Sequence, residues 1–148
     1  LLVRAPCRNP RLLVVCSCLP PRLIFDTGMG RLPARELLAQ TASMGGTAEG
    51  LMADPDFLEV IERPLRADWE IYDGYVDRAA ARLPLPILAV RGTEDGNVAA
   101  SDLRLWQEQT GEKLLTAELE AGHWALEAEG SAVLAREVSA VLAAVRPA

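Results

Sequence analysis

Two short apolar runs and a third, roughly alternating run are separated along this chain by segments of helical periodicity, and this order is the feature that most restricts its fold. The runs cover residues 11–18, 87–90 and 113–119. A continuous apolar run rich in β-branched residues, such as the first, is typical of a strand covered on both faces of a parallel sheet. The order strand, helical block, strand, helix, strand, helix therefore predicts an α/β fold with a parallel sheet.

The longest helical pattern lies between the first two strands. Apolar residues recur every three or four positions over residues 57–76, which is the spacing of an amphipathic helix. Asp54 and Pro55 predict its start, because aspartate can cap a helix and proline fits the first helical position. Pro64 is expected to divide this helix in two or to kink it. A shorter helix is predicted over residues 33–44.

Two further helices follow the second and third strands. The first is predicted to begin with Ser101 or Asp102 as its cap and to end at Gly111. The second is predicted over residues 131–145, where valines and a leucine mark one face. The helical block before them has two interpretations, since such an insertion can serve as a lid over a site or simply as crossover helices.

Charge and hydropathy exclude several classes of function. The net charge is −6 and the sequence pI is about 4.8, which disfavours binding to nucleic acid or to an anionic membrane surface because the field repels phosphate. No apolar run approaches the roughly 20 residues that span a bilayer. No signal-peptide pattern is found, and we expect a cytoplasmic protein. The first residue is leucine, so we expect a fragment of a longer protein.

The three cysteines predict neither a disulfide framework nor a metal site. Their number is odd, and Cys16 and Cys18 would share one face of a strand at a separation at or beyond the limit for a bridge. One C-x-C and one distant histidine do not make a zinc ligand set. We expect reduced, buried or partly buried cysteines, with no metal or other cofactor.

Two acidic residues and the sole histidine stand just beyond strand-like runs. Glu94 and Asp95 follow the second run, and His123 follows the third. In a parallel sheet both positions lie at the carboxyl edge, where functional groups gather. A carboxylate there can accept the Nδ1–H of the imidazole and leave the other nitrogen to act as a base. Asp95 is favoured over Glu94 because its shorter side chain holds an imidazole more rigidly.

The nucleophile that such a pair would serve is not evident. Serine, then acid, then histidine is the order in α/β-hydrolases, where the serine stands in a G-x-S-x-G turn. None of the five serines has that context, and neither Cys16 nor Cys18 does. The residues alone leave two interpretations open, a catalytic His123 or a loop histidine with a structural hydrogen bond.

Four blocks in order resemble a known family. They are M-G-G-T-A-E-G-L-M-A-D-P-D-F-L-E-V, P-L-R-A-D-W-E-I-Y-D-G-Y, P-I-L-A-V-R-G-T-E-D-G-N-V and A-G-H-W-A-L. Together they are similar to the C-terminal half of type II thioesterases, which are α/β-hydrolases that accompany polyketide synthases and nonribosomal peptide synthetases. The likeness covers about residues 11–145. Trp124-Ala125 departs from it, because the family usually has a pair of aromatic or bulky apolar residues there.

The resemblance implies a partial α/β-hydrolase domain over residues 1–148. Residues 11–31 would be a strand and loop, residues 32–80 a helical lid inserted into the parallel sheet, and residues 81–148 the part carrying the acid and the histidine. Asp95 would be the triad acid and His123 the base, while the nucleophilic serine is absent from this chain.

The implied activity is hydrolysis of acyl thioesters from the phosphopantetheine arm of acyl or peptidyl carrier proteins, without a cofactor. Because the G-x-S-x-G turn is missing, we expect the chain alone to be inactive. Two alternatives remain open, a non-catalytic module that binds an acyl chain or a carrier protein, and a general α/β-hydrolase esterase.

Overall fold

The computed structural model describes residues 10–44, 51–76, 81–126 and 129–144. The chain divides into two compact units. One consists of Leu1–Pro20 and Ala79–Ala148 and contains a sheet, and the other, Pro21–Arg78, is helical. Cys7 lies outside the described residues, so its predicted state stays a prediction.

Three parallel strands form the sheet of the first unit. Strand β1 is Leu13–Cys16, β2 is Ile87–Gly92 and β3 is Leu114–Leu119. Their order is β1-β2-β3, and both pairs are parallel. The predicted α/β fold with a parallel sheet is therefore confirmed, and each strand lies within one of the apolar runs or extends it by two residues.

The central strand β2 supplies the core on both faces of the sheet. Its first four residues are almost completely buried, and alternate side chains point to opposite faces. Ile87 and Ala89 pack in one cluster with Val98, Leu103 and Trp106. Leu88 and Val90 pack in a second cluster with Leu119 and Ala125, against which the apolar face of the last helix packs.

Two helical segments follow β2 and β3. A short helix α3 (Ala100–Leu103) continues as a 3-10 helix (Arg104–Gln109), and α4 is Glu129–Ala144. The prediction that Ser101 or Asp102 caps α3 is wrong. Ala99 precedes the helix, and the Asp102 carboxylate accepts a hydrogen bond from the Ala99 N–H at 3.0 Å, because a third-position acid can reach back to the cap backbone.

The second unit is built on two helices, α1 (Ala34–Ser43) and α2 (Pro55–Asp73). The predicted start of α2 is confirmed, since the Asp54 side chain accepts a hydrogen bond from the Asp56 N–H at 3.0 Å. The predicted division at Pro64 is wrong, because α2 continues through it. Proline removes the hydrogen bond to the Val60 carbonyl, and Val60 is 74% exposed, so water can satisfy that carbonyl.

Side chains of α2 form hydrogen bonds with the loop that precedes α1. Asp73 accepts hydrogen bonds from the Thr27 backbone N–H, the Thr27 hydroxyl and the Gly30 N–H at 2.8, 2.6 and 3.1 Å. Arg66 donates to the carbonyls of Gly30 and Leu32 at 2.7 and 2.8 Å. The loop and α2 therefore form one folded piece within this unit.

No helix among the described residues is both long and apolar enough to cross a bilayer.

Thr110 joins the segment before β2 to the segment before β3, and we expect its hydroxyl to be essential for stability. It is fully buried, donates to the Leu85 carbonyl at 2.6 Å and accepts from the Glu112 N–H at 2.9 Å. Thr110→Val keeps the shape but leaves both groups unpaired, which should lower the free energy of unfolding by about 2 kcal/mol or more. Chemical denaturation measures this.

Thr110→Ser is the matched control, because it keeps the hydroxyl and loses one methyl group, which costs about 1 kcal/mol. Equal decreases in the free energy of unfolding of the two variants would show that the methyl group, and not the hydrogen bonds, stabilises this position.

Candidate active site

The loops after β2 and β3 bring Asp95 and His123 into contact. Because β2 and β3 are parallel neighbours, their carboxyl ends meet at one edge of the sheet. His123 Nδ1 lies 3.1 Å from both Oδ1 and Oδ2 of Asp95. The contact expected from the spacing of the two residues is therefore present.

Asp95 is a buried carboxylate with several partners. It is 5% exposed, and Oδ1 accepts hydrogen bonds from the backbone N–H groups of Asn97 at 2.9 Å and Val98 at 3.3 Å. Burial by itself raises the pKa of Asp95, but the Asn97 N–H, the Ser17 hydroxyl and His123 together outweigh burial and lower it. The carboxylate is therefore ionised at neutral pH.

An ionised Asp95 fixes the orientation of His123. A carboxylate only accepts hydrogen bonds, so Nδ1 must carry the hydrogen in the contact and Nε2 of the neutral ring is an acceptor. The His123 side chain is 28% exposed, and its ring makes an edge-on contact with Trp124 at a centroid distance of 5.6 Å. The arrangement can take a proton from a group placed near Nε2.

The neighbouring carboxylate does not share this site. Glu94 is exposed, and its backbone N–H, not its side chain, links the two loops by donating to the Ala121 carbonyl at 3.0 Å. A one-residue difference in position thus separates a solvent-facing acid from the acid that contacts His123.

Gly92 permits the two loops to approach. It is buried at the end of β2, and a Cβ atom added there would overlap the carbonyl oxygens of Ala121 and Gly122. Just beyond it, the Thr93 N–H donates to the Leu119 carbonyl at 2.8 Å. The backbone that leads to His123 therefore runs directly against Gly92, where only glycine fits.

Arg91 stabilises the loop that carries Asp95. Its guanidinium donates to the carbonyls of Gly92, Thr93 and Val98 at 2.8, 2.7 and 2.9 Å, and it lies 3.3 Å from the Glu118 carboxylate of β3. Only 11% of the side chain is exposed. A planar group with five donors suits this task because it can bind several carbonyls in fixed directions.

Neither Arg91 nor Gly92 was among the predicted site residues. A glycine directly after a strand, followed by acidic residues, could have indicated a close backbone approach, because such glycines mark these places. No sequence signal distinguishes Arg91 from the many surface arginines.

Strand β1 ends earlier than the predicted run over residues 11–18. Cys16 ends the strand and is half-buried, Ser17 has a φ of 46°, and Cys18 is exposed. The prediction that Cys16 and Cys18 share one strand face is therefore wrong, because the left-handed residue between them ends the extended conformation. The prediction of at least partial burial is wrong for Cys18 and confirmed for Cys16.

Ser17 also differs from the other serines. The remaining four, at positions 43, 101, 131 and 139, are exposed. Ser17 lines a cavity of about 170 Å³ together with Cys16, His123 and the segment Trp124–Leu126. No group of three or more metal-ligating side chains occurs within the described ranges.

The chain is similar in sequence to a thioesterase and to a synthase. The chain is 26% identical to thioesterase PikA5 of Streptomyces venezuelae over 118 residues. These aligned residues make up 80% of this chain and 42% of that protein. It is 32% identical over 113 residues to phenyloxazoline synthase MbtB of Mycobacterium tuberculosis, which is 75% of this chain and 8% of that protein. No protein-family model matches the chain.

Solved structures of thioesterases share the fold. The RedJ thioesterase of the prodiginine pathway in Streptomyces coelicolor gives a TM-score of 0.79 at 20% identity, over 88% of this chain and 52% of that one. The type II thioesterase BorB of the borrelidin cluster gives a TM-score of 0.74 at 25% identity, over 87% of this chain and 53% of that one. The resemblance to type II thioesterases and the partial α/β-hydrolase fold are thereby confirmed. The chain spans about half the length of these structures.

We expect Gly92→Ala to separate His123 from Asp95. The added methyl group forces the 121–122 backbone away, which should remove the Nδ1–carboxylate contact and lower the free energy of unfolding by about 2 kcal/mol or more. ¹⁵N-histidine NMR reports the tautomer of His123, and denaturation reports stability.

Gly96→Ala is the control for this variant, because a Cβ atom at position 96 meets nothing within 4 Å. It should change stability by less than about 0.5 kcal/mol. An unchanged tautomer in Gly92→Ala would contradict the role assigned to the close approach.

Asp95 should make stability depend on pH in the acidic range. Because its pKa is lowered on folding, its ionised form stabilises the fold fully above its ordinary pKa in the unfolded chain, and this contribution is lost as the pH falls through the lower folded pKa. The difference in the free energy of unfolding between wild type and Asp95→Asn should therefore shrink from pH 5 downwards. A difference that stays constant between pH 6 and pH 3 would show that the carboxylate is not stabilised by folding.

Proposed function

We propose that this chain carries the acid and the base of a thioesterase that hydrolyses acyl groups from carrier proteins of polyketide or nonribosomal peptide synthesis. The observation that carries the proposal is the contact of His123 Nδ1 with both carboxylate oxygens of Asp95 at 3.1 Å. The likeness to thioesterase PikA5 and to BorB, described as a type II thioesterase, supports the choice of reaction.

The contact suits His123 to general base and then general acid catalysis. Asp95 holds Nδ1–H and stabilises the imidazolium ion, so Nε2 can accept the proton of a nucleophilic hydroxyl as it attacks the thioester carbonyl. The same proton is then transferred to the departing thiolate. Water repeats the sequence to release the acid from the acyl-enzyme, and this scheme requires no metal or redox group.

The nucleophile in this proposal is not one of the described serines. Four are exposed away from G-x-S-x-G contexts, and Ser17 lacks that context as well. We therefore propose that the pair serves a serine outside these 148 residues and that the 148 residues alone do not turn over a thioester.

The helical unit is proposed as the lid that the resemblance implies. It has its own internal support, because Arg66 and Asp73 of α2 bind the loop at residues 27–32.

Replacement of His123 should abolish the activity. In the protein at its natural length, His123→Ala should lower kcat for an acyl-carrier thioester by about a thousandfold or more, because both proton transfers lose their carrier. The assay follows release of the free phosphopantetheine thiol. Offering a simple ester of the same acyl group in parallel separates a thioesterase from a general esterase.

Asp102→Asn is the matched control, because this acid belongs to the start of α3 and contacts the Ala99 N–H. It should leave kcat within a factor of about two. Retention of near-normal turnover in His123→Ala would overturn the proposed function.

A further inference from the structure

We propose that Ser17 is a positioning residue for the acid: its hydroxyl donates a hydrogen bond to the Asp95 carboxylate and holds it in place beside His123. The inference rests on the proposed function in one respect only, that the Asp95–His123 pair is catalytic. The contact itself concerns three segments of one unit, the ends of β1 and β2 and the loop after β3.

The sheet places Ser17 next to the loop of the acid. Cys16, the last residue of β1, lies opposite Val90 of β2 in the parallel register. The Ser17 N–H continues the ladder by donating to the Val90 carbonyl at 2.8 Å. Since β2 ends two residues after Val90 and Asp95 follows closely, Ser17 and Asp95 lie at the same edge of the sheet.

The hydroxyl of Ser17 is buried and needs an acceptor. Its oxygen is shielded from solvent and makes no hydrogen bond of standard geometry to another described residue. A buried hydroxyl without a partner is destabilising. The Ser17 hydroxyl is among the groups that lower the pKa of Asp95, and the ionised Asp95 carboxylate at the same edge of the sheet is an acceptor for it.

The backbone of Ser17 indicates that the serine is kept for its side chain. Its φ of 46° makes it the one non-glycine residue with a positive φ among the described residues. Glycine adopts this conformation without strain, and most other residues do so at a cost. A serine at such a position is explained when its hydroxyl does something that glycine cannot.

Few titratable groups face the acid from the elements packed around it. His123 contacts it from the loop after β3, and the Cys16 thiol interacts with it from the end of β1. Burial raises the pKa of the Cys16 thiol, so this thiol is neutral near pH 7. Its hydrogen is also a weak donor, so the serine hydroxyl is the better donor on the β1 side.

A role as nucleophile suits Ser17 less well. The ring nitrogen that takes a proton is Nε2, whereas Asp95 holds Nδ1. The Ser17 hydroxyl interacts with the acid, and its position after β1 lacks the strand–turn–helix context of a nucleophile, because a 3-10 turn at Pro21–Leu23 follows.

The test compares Ser17→Ala and Ser17→Gly with wild type in the protein at its natural length. ¹³C NMR of the Asp95 carboxyl carbon, assigned by its loss in Asp95→Asn, gives the pKa of the acid. Both variants should raise this pKa, because the ionised form loses a donor, and both should lower kcat about tenfold. Ser17→Cys keeps a weak donor, so its Asp95 pKa and its kcat should lie between those of the two variants and those of the wild type.

Comparison of the two variants distinguishes the effect of losing the Ser17 hydroxyl from an effect on the stability of the fold. Ser17→Gly relieves the positive φ and should unfold no more readily than wild type, yet it should show the same raised pKa of Asp95 as Ser17→Ala. Ser101→Ala, on the exposed start of α3, is the control and should leave the pKa of Asp95 unchanged. A merely structural role would reduce stability without moving that pKa.

The outcomes distinguish this inference from the proposed function. An unchanged pKa of Asp95 in both Ser17→Ala and Ser17→Gly would overturn the inference, as would covalent labelling of Ser17 itself by a fluorophosphonate. If the pKa rises as expected while the wild-type protein hydrolyses no acyl thioester, the contact stands and the proposed function fails.

Discussion

The close approach of two loops at Gly92 is the constraint on which the site depends. The backbone at Ala121 and Gly122 occupies the space where any other residue at position 92 would place its Cβ atom. Two backbone hydrogen bonds fix the approach, one from Thr93 to Leu119 at the end of β3 and one from Glu94 to Ala121 in the loop after it. The missing side chain at position 92 lets the two loops come close enough for the His123 imidazole to contact the Asp95 carboxylate.

The Asp95 carboxylate at this junction is buried, and hydrogen-bond donors replace the water that it loses. A carboxylate removed from water is costly unless donors replace the lost hydration, and Asp95 receives backbone N–H groups from Asn97 and Val98 in addition to His123. Arg91 acts one step further out, because it binds the carbonyls of the same loop rather than the acid. Arg91 therefore holds the loop through its carbonyl groups and does not compete with His123 for the carboxylate oxygens.

Local sequence signals predicted the structural features that depend on a few neighbouring residues. The Asp54 cap and the strands were accessible because caps and apolar runs act through neighbours along the chain. Predictions failed where solvent exposure or backbone conformation in the folded chain decided the outcome. Pro64 remains inside α2 because the carbonyl it leaves unpaired lies at an exposed position, and Ser17 ends β1 earlier than the apolar run indicates.

The sequence by itself determined the order of strands and helices, the resemblance to type II thioesterases, and the choice of Asp95 and His123 as candidates. The order of elements and the two candidates follow from periodicity, from residue type and from position just after a strand, all of which are local, and the resemblance follows from four motifs in order along the chain. Only the tertiary structure decided that Asp95 and His123 are in contact, that Gly92 and Arg91 support this contact, and that Ser17 ends β1 at the same edge of the sheet. The physical reason is that these contacts join segments up to about 80 residues apart, whose distance is set by the register of the parallel strands and not by any property of the residues alone.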